Sequence, residues 1–208
     1  MKILITGKSG QLGWELLHAL GPLGTVVATC RSELNLEDTE QIRTRIREIA
    51  PDVIVNAAAY TDVEKAELEP ERANAINGIA PGILAQEARR RGALLIHIST
   101  DYVFNGACQR PYEEDDPVGP VNAYGASKAL GEHSVITSDP QALIIRTSWL
   151  YSARGRNFLL FLLDRIRRHE PLEIVADQIG APTYAAEVAH AIAKMLARFG
   201  DRSGESGL

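Results

Sequence analysis

Tyr124 and Lys128, four residues apart in Tyr124-Gly-Ala-Ser-Lys128, are the pair in this sequence best placed to do chemistry. On a helix, residues i and i+4 share a face, so the ammonium can sit beside the phenol. A free phenol has a pKa of about 10, and a neighbouring cation is expected to stabilise the phenolate and draw that value down. Tyr124 then becomes a candidate proton donor to a carbonyl, with Lys128 as its partner. A third group should hold the carbonyl oxygen. The run His97-Ile-Ser99-Thr100-Asp101 ends in hydroxyls, of which Thr100 is the first choice and Ser99 the second.

A second constellation lies at the N-terminus, where Lys2-Ile-Leu-Ile-Thr6 runs into Gly7-Lys-Ser-Gly10-Gln-Leu-Gly13. In a glycine turn opening a helix, Gly7 permits the turn, Gly10 lets backbone N–H groups approach a pyrophosphate, and Gly13 lets the helix sit close to the sheet. A lone glycine motif is weak, but this one follows a strand and precedes helical periodicity, the context that gives it meaning. About twenty residues beyond the first glycine, an acid favours the ribose of NAD and an arginine the 2′-phosphate of NADP. The chain has Arg31 there, which favours NADPH, with Glu33 close enough to keep NADH open. Asn35 and Leu36 could edge an adenine. Three small residues, Ala57-Ala58-Ala59 before Tyr60 and Thr61, would let a ribose lie against the backbone.

The elements that must position these groups alternate. Strands are expected at 2–6, 25–29, 52–56, 93–99 and 142–147, all short and apolar with little polar alternation, as in a parallel sheet covered on both faces. Helices are expected at 11–20, 39–50, 70–91 and 122–137, punctuated by Pro22, Pro51 and Gly92. Ile42, Ile46 and Ile49 mark a core-facing stripe on the second. This order predicts an α/β, doubly wound parallel sheet, a Rossmann-type dinucleotide-binding domain over 1–150. Beyond Trp149 the rhythm loosens. Helices are read at 157–169 and 184–199, a short strand at 172–175, a loop over Asp177–Thr183, and a polar, Gly/Ser-rich tail from Gly200 that is expected to be frayed.

Composition narrows the function classes. The 208 residues are 45% hydrophobic, enough for one sizeable core, and the net charge of -5 comes without a basic stripe, which argues against nucleic acid. No run of eighteen apolar residues suggests a membrane span, and the N-terminus reads as a strand rather than a signal segment, so a cytoplasmic protein is expected. Cys30 and Cys108 lack metal or redox spacing, and the five histidines are scattered, so no metal site is expected from the residues.

These motifs resemble the extended short-chain dehydrogenase/reductase family, in its branch that reduces ketones of dTDP-sugars. The likeness runs from Met1 to about Glu187 and is carried by Gly7–Glu15, Pro51–Ala59, Ser99-Thr-Asp-Tyr-Val-Phe104, Tyr124-Gly-Ala-Ser-Lys128 with Gly131-Glu132, Arg146-Thr-Ser-Trp149 and Asp177-Gln-Ile-Gly-Ala-Pro-Thr183. The resemblance implies Tyr124 as catalytic acid, Lys128 on the cofactor, and Thr100 on the ketone. It implies Asp101 and Trp149 on a nucleotide-sugar, and Gly10, Gln11, Leu12, Asn35, Leu36, Ala59, Tyr60 and Thr61 on NADPH or NADH. Some family members bind Mg2+ between subunits. Glu15 matches one such carboxylate, but Ala186 stands where the next would be. The family leaves a homodimer open and implies a substrate-binding part, of which 151–208 would be the incomplete beginning, plus a returning helix. A non-catalytic dinucleotide-binding subunit and a related epimerase or dehydratase are the competing readings. An intact Tyr124, Lys128 and Thr100 speak against the first, and co-purified NAD would mark the second.

Overall fold

Five parallel strands form the centre of the computed structural model, which describes residues 1–204. They are β1 (Lys2–Thr6), β2 (Thr25–Thr29), β3 (Val53–Asn56), β4 (Leu94–Thr100) and β5 (Leu143–Thr147), in the order β2-β1-β3-β4-β5. The register is continuous, with Thr6 opposite both Thr29 and Asn56, and Asn56 opposite His97. The order reverses between β1 and β3, and that switch point is where an open α/β sheet binds ligands.

Side-chain alternation sorts the core into two layers. Ile3, Ile5, Val53, Val55 and Ile96 face helix α1 (Gln11–Leu20) through Leu12, Leu16 and Leu20, and helix α8 (Ala185–Gly204) through Val188, Ala189, Ile192 and Leu196. Leu4, Ile54 and Leu95 face the other way, onto α2 (Thr39–Ile49) and α5 (Ala80–Arg91). The stripe of Ile42, Ile46 and Ile49 is buried as its spacing required. Asp38 caps α2 by accepting from the Gln41 N–H.

The stretch read as one helix over 70–91 is three pieces: α4 (Pro70–Ala73), a π-helical turn (Asn74–Ile79) and α5. A further short helix, α3 (Val63–Leu68), begins at an Asp62 cap. Helix α6 (Ala123–Ser138) starts at Asn122, whose side chain accepts from the Gly125 N–H. Among the described residues no strand forms at 172–175. Instead two residues of β6 (Leu150–Tyr151) pair in parallel with two of β7 (Thr183–Tyr184). The cause is the absence of a partner strand: Leu172, Ile174 and Val175 are exposed, and an apolar run without a neighbour has nothing to ladder with. Helix α7 (Phe158–Arg167) lies between β6 and β7. The tail expected to be frayed from Gly200 continues α8 as far as Gly204, and 205–208 lie outside the described residues. Among the described residues no helix is long and apolar enough to cross a membrane.

Candidate active site

The carboxyl ends of β1, β3, β4 and β5 open into a cleft of about 940 Å3. Gly7, Gly10, Gln11, Leu12, Arg31, Asn35 and Leu36 line one end, with Ala59, Tyr60 and Thr61 beside them. Ser99, Thr100, Asp101, Tyr124, Lys128 and Trp149 line the other. Residues scattered over 143 positions are brought together because parallel strands put all their carboxyl ends on one edge. Gly13 is not on the wall. A Cβ there would lie 2.1 Å from the Gly7 carbonyl, so Gly13 is the residue that lets α1 approach the turn.

At the glycine end, Gly7 has φ of 78° and a Cβ on it would meet Ala58 at 2.9 Å, so backbone, not side chain, forms the floor. Gly10 occupies the N-cap of α1 without any capping side chain, leaving the first helical N–H groups to face the cleft. That is an anion site of the kind a pyrophosphate fills, and it fits a dinucleotide. The Gln11 side chain serves another purpose. It accepts from Ser152 (3.0 Å) and Asn157 (2.8 Å) and donates to the Leu150 carbonyl, so its backbone is what remains for a phosphate.

Arg31 lies at the mouth, exposed and paired with Glu37, which also accepts from Arg72 at 3.0 Å. Arg72 in turn stands over the Tyr60 ring. Lys8, which the sequence reading passed over, pairs with Glu33 on the surface beside Cys30; that ammonium and the Cys30 N–H hold the Glu33 carboxyl down at about 2. Asn77, buried in the π-turn, was also missed. It accepts from the Tyr60 N–H (2.8 Å) and donates to the Tyr60 carbonyl (2.9 Å) and the Ser127 hydroxyl (2.9 Å). One amide therefore ties the small-residue wall to the helix carrying Tyr124 and Lys128, and a π-turn is a frequent site for such a role.

At the Tyr124 end the two helix-mates part company. Lys128 is buried, and its ammonium donates to the Ile98 carbonyl at 2.7 Å and lies 3.3 Å from His97 Nε2. Burial pulls its pKa from 10.5 down to about 8, with Glu132 acting weakly the other way. Tyr124 is half-buried, its ring edge-on to Tyr102. The expectation that Lys128 would lower the phenol is overturned: desolvation pushes Tyr124 up to about 12, and Asp101 adds to the rise while Thr100 opposes it. The ammonium is committed to the end of β4 and its charge is not spent on the phenol. Tyr124 is thus fully protonated at neutral pH, the state a proton donor requires.

Thr100 accepts from the Tyr102 N–H (3.2 Å) and donates to Asp101 (3.1 Å), whose other oxygen accepts from Ser148 (2.8 Å). The Ser99 hydroxyl is buried on the same wall with no hydrogen-bond partner among the described residues. Two glycines set α6 in place, since a Cβ on Gly125 would lie 2.2 Å from the Tyr102 carbonyl and one on Gly131 would lie 2.0 Å from the Asn77 carbonyl. Glu132, one turn beyond Lys128 and itself buried, accepts two bonds from the half-buried Arg146 of β5 at 3.0 and 2.7 Å, a forked pair that fixes the helix against the sheet. Trp149 has φ of 44°, and Gly180 sits so near its ring that a Cβ would be 2.6 Å away. The motifs at 131–132, 146–149 and 177–183 are therefore joined in space. Among the described residues no group of three His, Cys, Asp or Glu could hold a metal ion.

Over residues 1–208 the chain matches the family model described as RmlD substrate binding domain. It is 49% identical over 197 residues to a dTDP-4-dehydrorhamnose reductase of Burkholderia thailandensis, covering 95% of this chain and 66% of the relative. Among solved structures, a dTDP-4-dehydrorhamnose reductase of Clostridium acetobutylicum superposes with a TM-score of 0.91 at 39% identity, covering 95% of this chain and 71% of that one. The enzyme of that name from Bacillus anthracis, in complex with NADP, gives 0.90 at 38%, covering 94% and 70%. The chain spans about two thirds of the length of the curated relatives it matches. The fold, the site and these likenesses agree: the chain belongs to the RmlD substrate binding domain family.

Proposed function

We propose that this protein reduces the C4 ketone of dTDP-4-dehydro-L-rhamnose to dTDP-L-rhamnose. The observation that carries this reading is the placement of Tyr124, Lys128 and Thr100 on one wall of a cleft whose opposite end is an uncapped helix N-terminus behind a glycine turn. A bound NADPH, or NADH in its place, would supply the hydride. Gly7, Gly10, Gln11 and Leu12 would hold its pyrophosphate by backbone, Gly13 would admit α1, and Arg31 would take the 2′-phosphate, exchanging Glu37 for it. Asn35, Leu36, Ala59, Tyr60 and Thr61 would edge the adenosine.

Tyr124 donates its phenolic proton to the ketone oxygen as negative charge develops there. Thr100 turns its hydroxyl from Asp101 to the same oxygen and stabilises that charge in the transition state. Lys128 offers its ammonium to the ribose next to the reacting ring, and Asp101 and Trp149 orient the sugar-nucleotide. Residues 1–150 would form the dinucleotide-binding domain with the returning helix α8 packed on its sheet, 151–184 would begin the substrate side, and the protein would work in the cytoplasm, alone or as a homodimer. The test is to mix the protein with NADPH and dTDP-4-dehydrorhamnose and follow the reduced-nicotinamide absorbance. Loss of absorbance that depends on both components supports the reading. A protein that binds NADPH and leaves the sugar-nucleotide untouched contradicts it.

A further inference from the structure

We propose that His97 is a positioning residue for Lys128, anchored through Asn56 and Thr6 in a polar chain that crosses the sheet beneath the cleft. All four side chains are at most 2% exposed. Thr6 Oγ1 lies 2.6 Å from Asn56 Oδ1, Asn56 Nδ2 lies 3.0 Å from His97 Nδ1, and His97 Nε2 lies 3.3 Å from Lys128 Nζ. Each link comes from a different element, β1, β3, β4 and α6, and the strand register places Thr6, Asn56 and His97 side by side. Thr6 also accepts from the Ala58 N–H at 3.3 Å, which ties the chain to the backbone floor under the cofactor end.

A buried polar chain that satisfies its members is rigid, whereas any unpaired member is costly, so these contacts fix where the ammonium points. Without them, Lys128 keeps a single acceptor among the described residues, the Ile98 carbonyl. The imidazole is suited to the task because burial, with Lys128 beside it, holds its pKa well below the ordinary histidine value and keeps it neutral. A neutral ring has one donor and one acceptor nitrogen. With the Asn56 amide donating to Nδ1, the Nε2–H faces Lys128 and suits an uncharged amine. With the amide turned, Asn56 Oδ1 takes an Nδ1–H and Nε2 accepts from the ammonium. In that second arrangement Thr6 accepts from Asn56. One amide rotation thus matches the chain to either charge state of Lys128. The charged and titratable groups that act on it are His97 on β4 and Glu132 on its own helix, the latter bound to Arg146 of β5.

The role rests on the reductase reading for its purpose, but its test needs no turnover. Side-chain 15N shifts of His97 are recorded in wild type and in Lys128→Met. The expected result is a neutral ring throughout pH 5 to 8, with the Nε2 resonance displaced in the variant. A charged ring at pH 6, or an Nε2 resonance indifferent to Lys128→Met, overturns the proposal. NADPH affinity is then measured by nicotinamide fluorescence. His97→Leu is expected to weaken it about tenfold, the loss of one hydrogen bond to a charged group, and His97→Gln to recover most of it. Equal affinity in wild type and a folded His97→Leu refutes the role, as does equal loss in His97→Gln. If His97→Leu does not fold, the 15N comparison decides. If wild type itself fails to bind NADPH, the reductase reading fails while the imidazole measurement still stands.

Discussion

Burying Lys128 has a cost that can be measured without any ligand. Its pKa falls from 10.5 in an open chain to about 8 in the fold. Each unit is worth about 1.4 kcal/mol, so the fold forfeits about 3 kcal/mol by holding that ammonium out of water at neutral pH. The direction with pH follows from proton counting. Between pH 8 and 10.5 the unfolded chain keeps a proton that the folded chain has released, so stability rises with pH across that window. Below pH 8 both states are protonated and the whole penalty applies. Lys128→Met removes the titration while keeping the length of the side chain. It also strands the Ile98 carbonyl and His97 Nε2, but that loss does not vary with pH above 7, because His97 is already neutral. The difference in unfolding free energy between wild type and Lys128→Met should therefore move by about 2 kcal/mol in favour of wild type from pH 7 to pH 9.5. Urea titrations of both proteins at half-unit steps would measure it. A difference that stays flat over that range would mean Lys128 is solvated, and the account of the site's electrostatics would be wrong.

Three further outcomes are expected. Tyr124→Phe should lower turnover by about 10²- to 10⁴-fold with NADPH affinity within about threefold of wild type, measured by absorbance and fluorescence respectively. Arg31→Ala should cost NADPH about tenfold in affinity and leave NADH nearly unchanged, so the ratio of the two dissociation constants reports on the 2′-phosphate site. Arg146→Leu leaves Glu132 buried and unpaired and should destabilise the fold by about 3–5 kcal/mol, read from urea midpoints at pH 7, whereas the double variant Arg146→Leu/Glu132→Leu should recover part of that loss.

The sheet was legible because strands buried on both faces, such as β1 and β3, write themselves as short apolar runs, and β1 and the half-exposed edge strand β2 have the very bounds that Lys2–Thr6 and Thr25–Thr29 suggest. What escaped was whatever depends on a distant partner. The short run Leu172-Glu-Ile-Val175, with three apolar residues, is coil for want of a neighbour, and two-residue strands such as Leu150–Tyr151 carry no periodicity to read. The π-turn at Asn74–Ile79 was hidden inside an otherwise helical stretch, since its extra residue changes hydrogen bonding more than hydropathy. In the site, Tyr124, Lys128 and Thr100 could be named from residue type and spacing. The direction of the ammonium could not, because the groups that capture it, the Ile98 carbonyl and His97, come from β4 some thirty residues earlier. The Asn77 tether to Tyr60, the Lys8–Glu33 pair and the second role of Gln11 are long-range contacts of the same kind.

A crystal structure of the protein with NADPH bound would test the central claim most directly. The account predicts the nicotinamide at the Tyr124 end of the cleft, its ribose within hydrogen-bond reach of Lys128, and room for a ketone carbon about 3–3.5 Å from the ring carbon that gives hydride, next to the Tyr124 hydroxyl. A nicotinamide resting away from β4, or a Tyr124 hydroxyl turned out of the cleft when the cofactor is present, would contradict it.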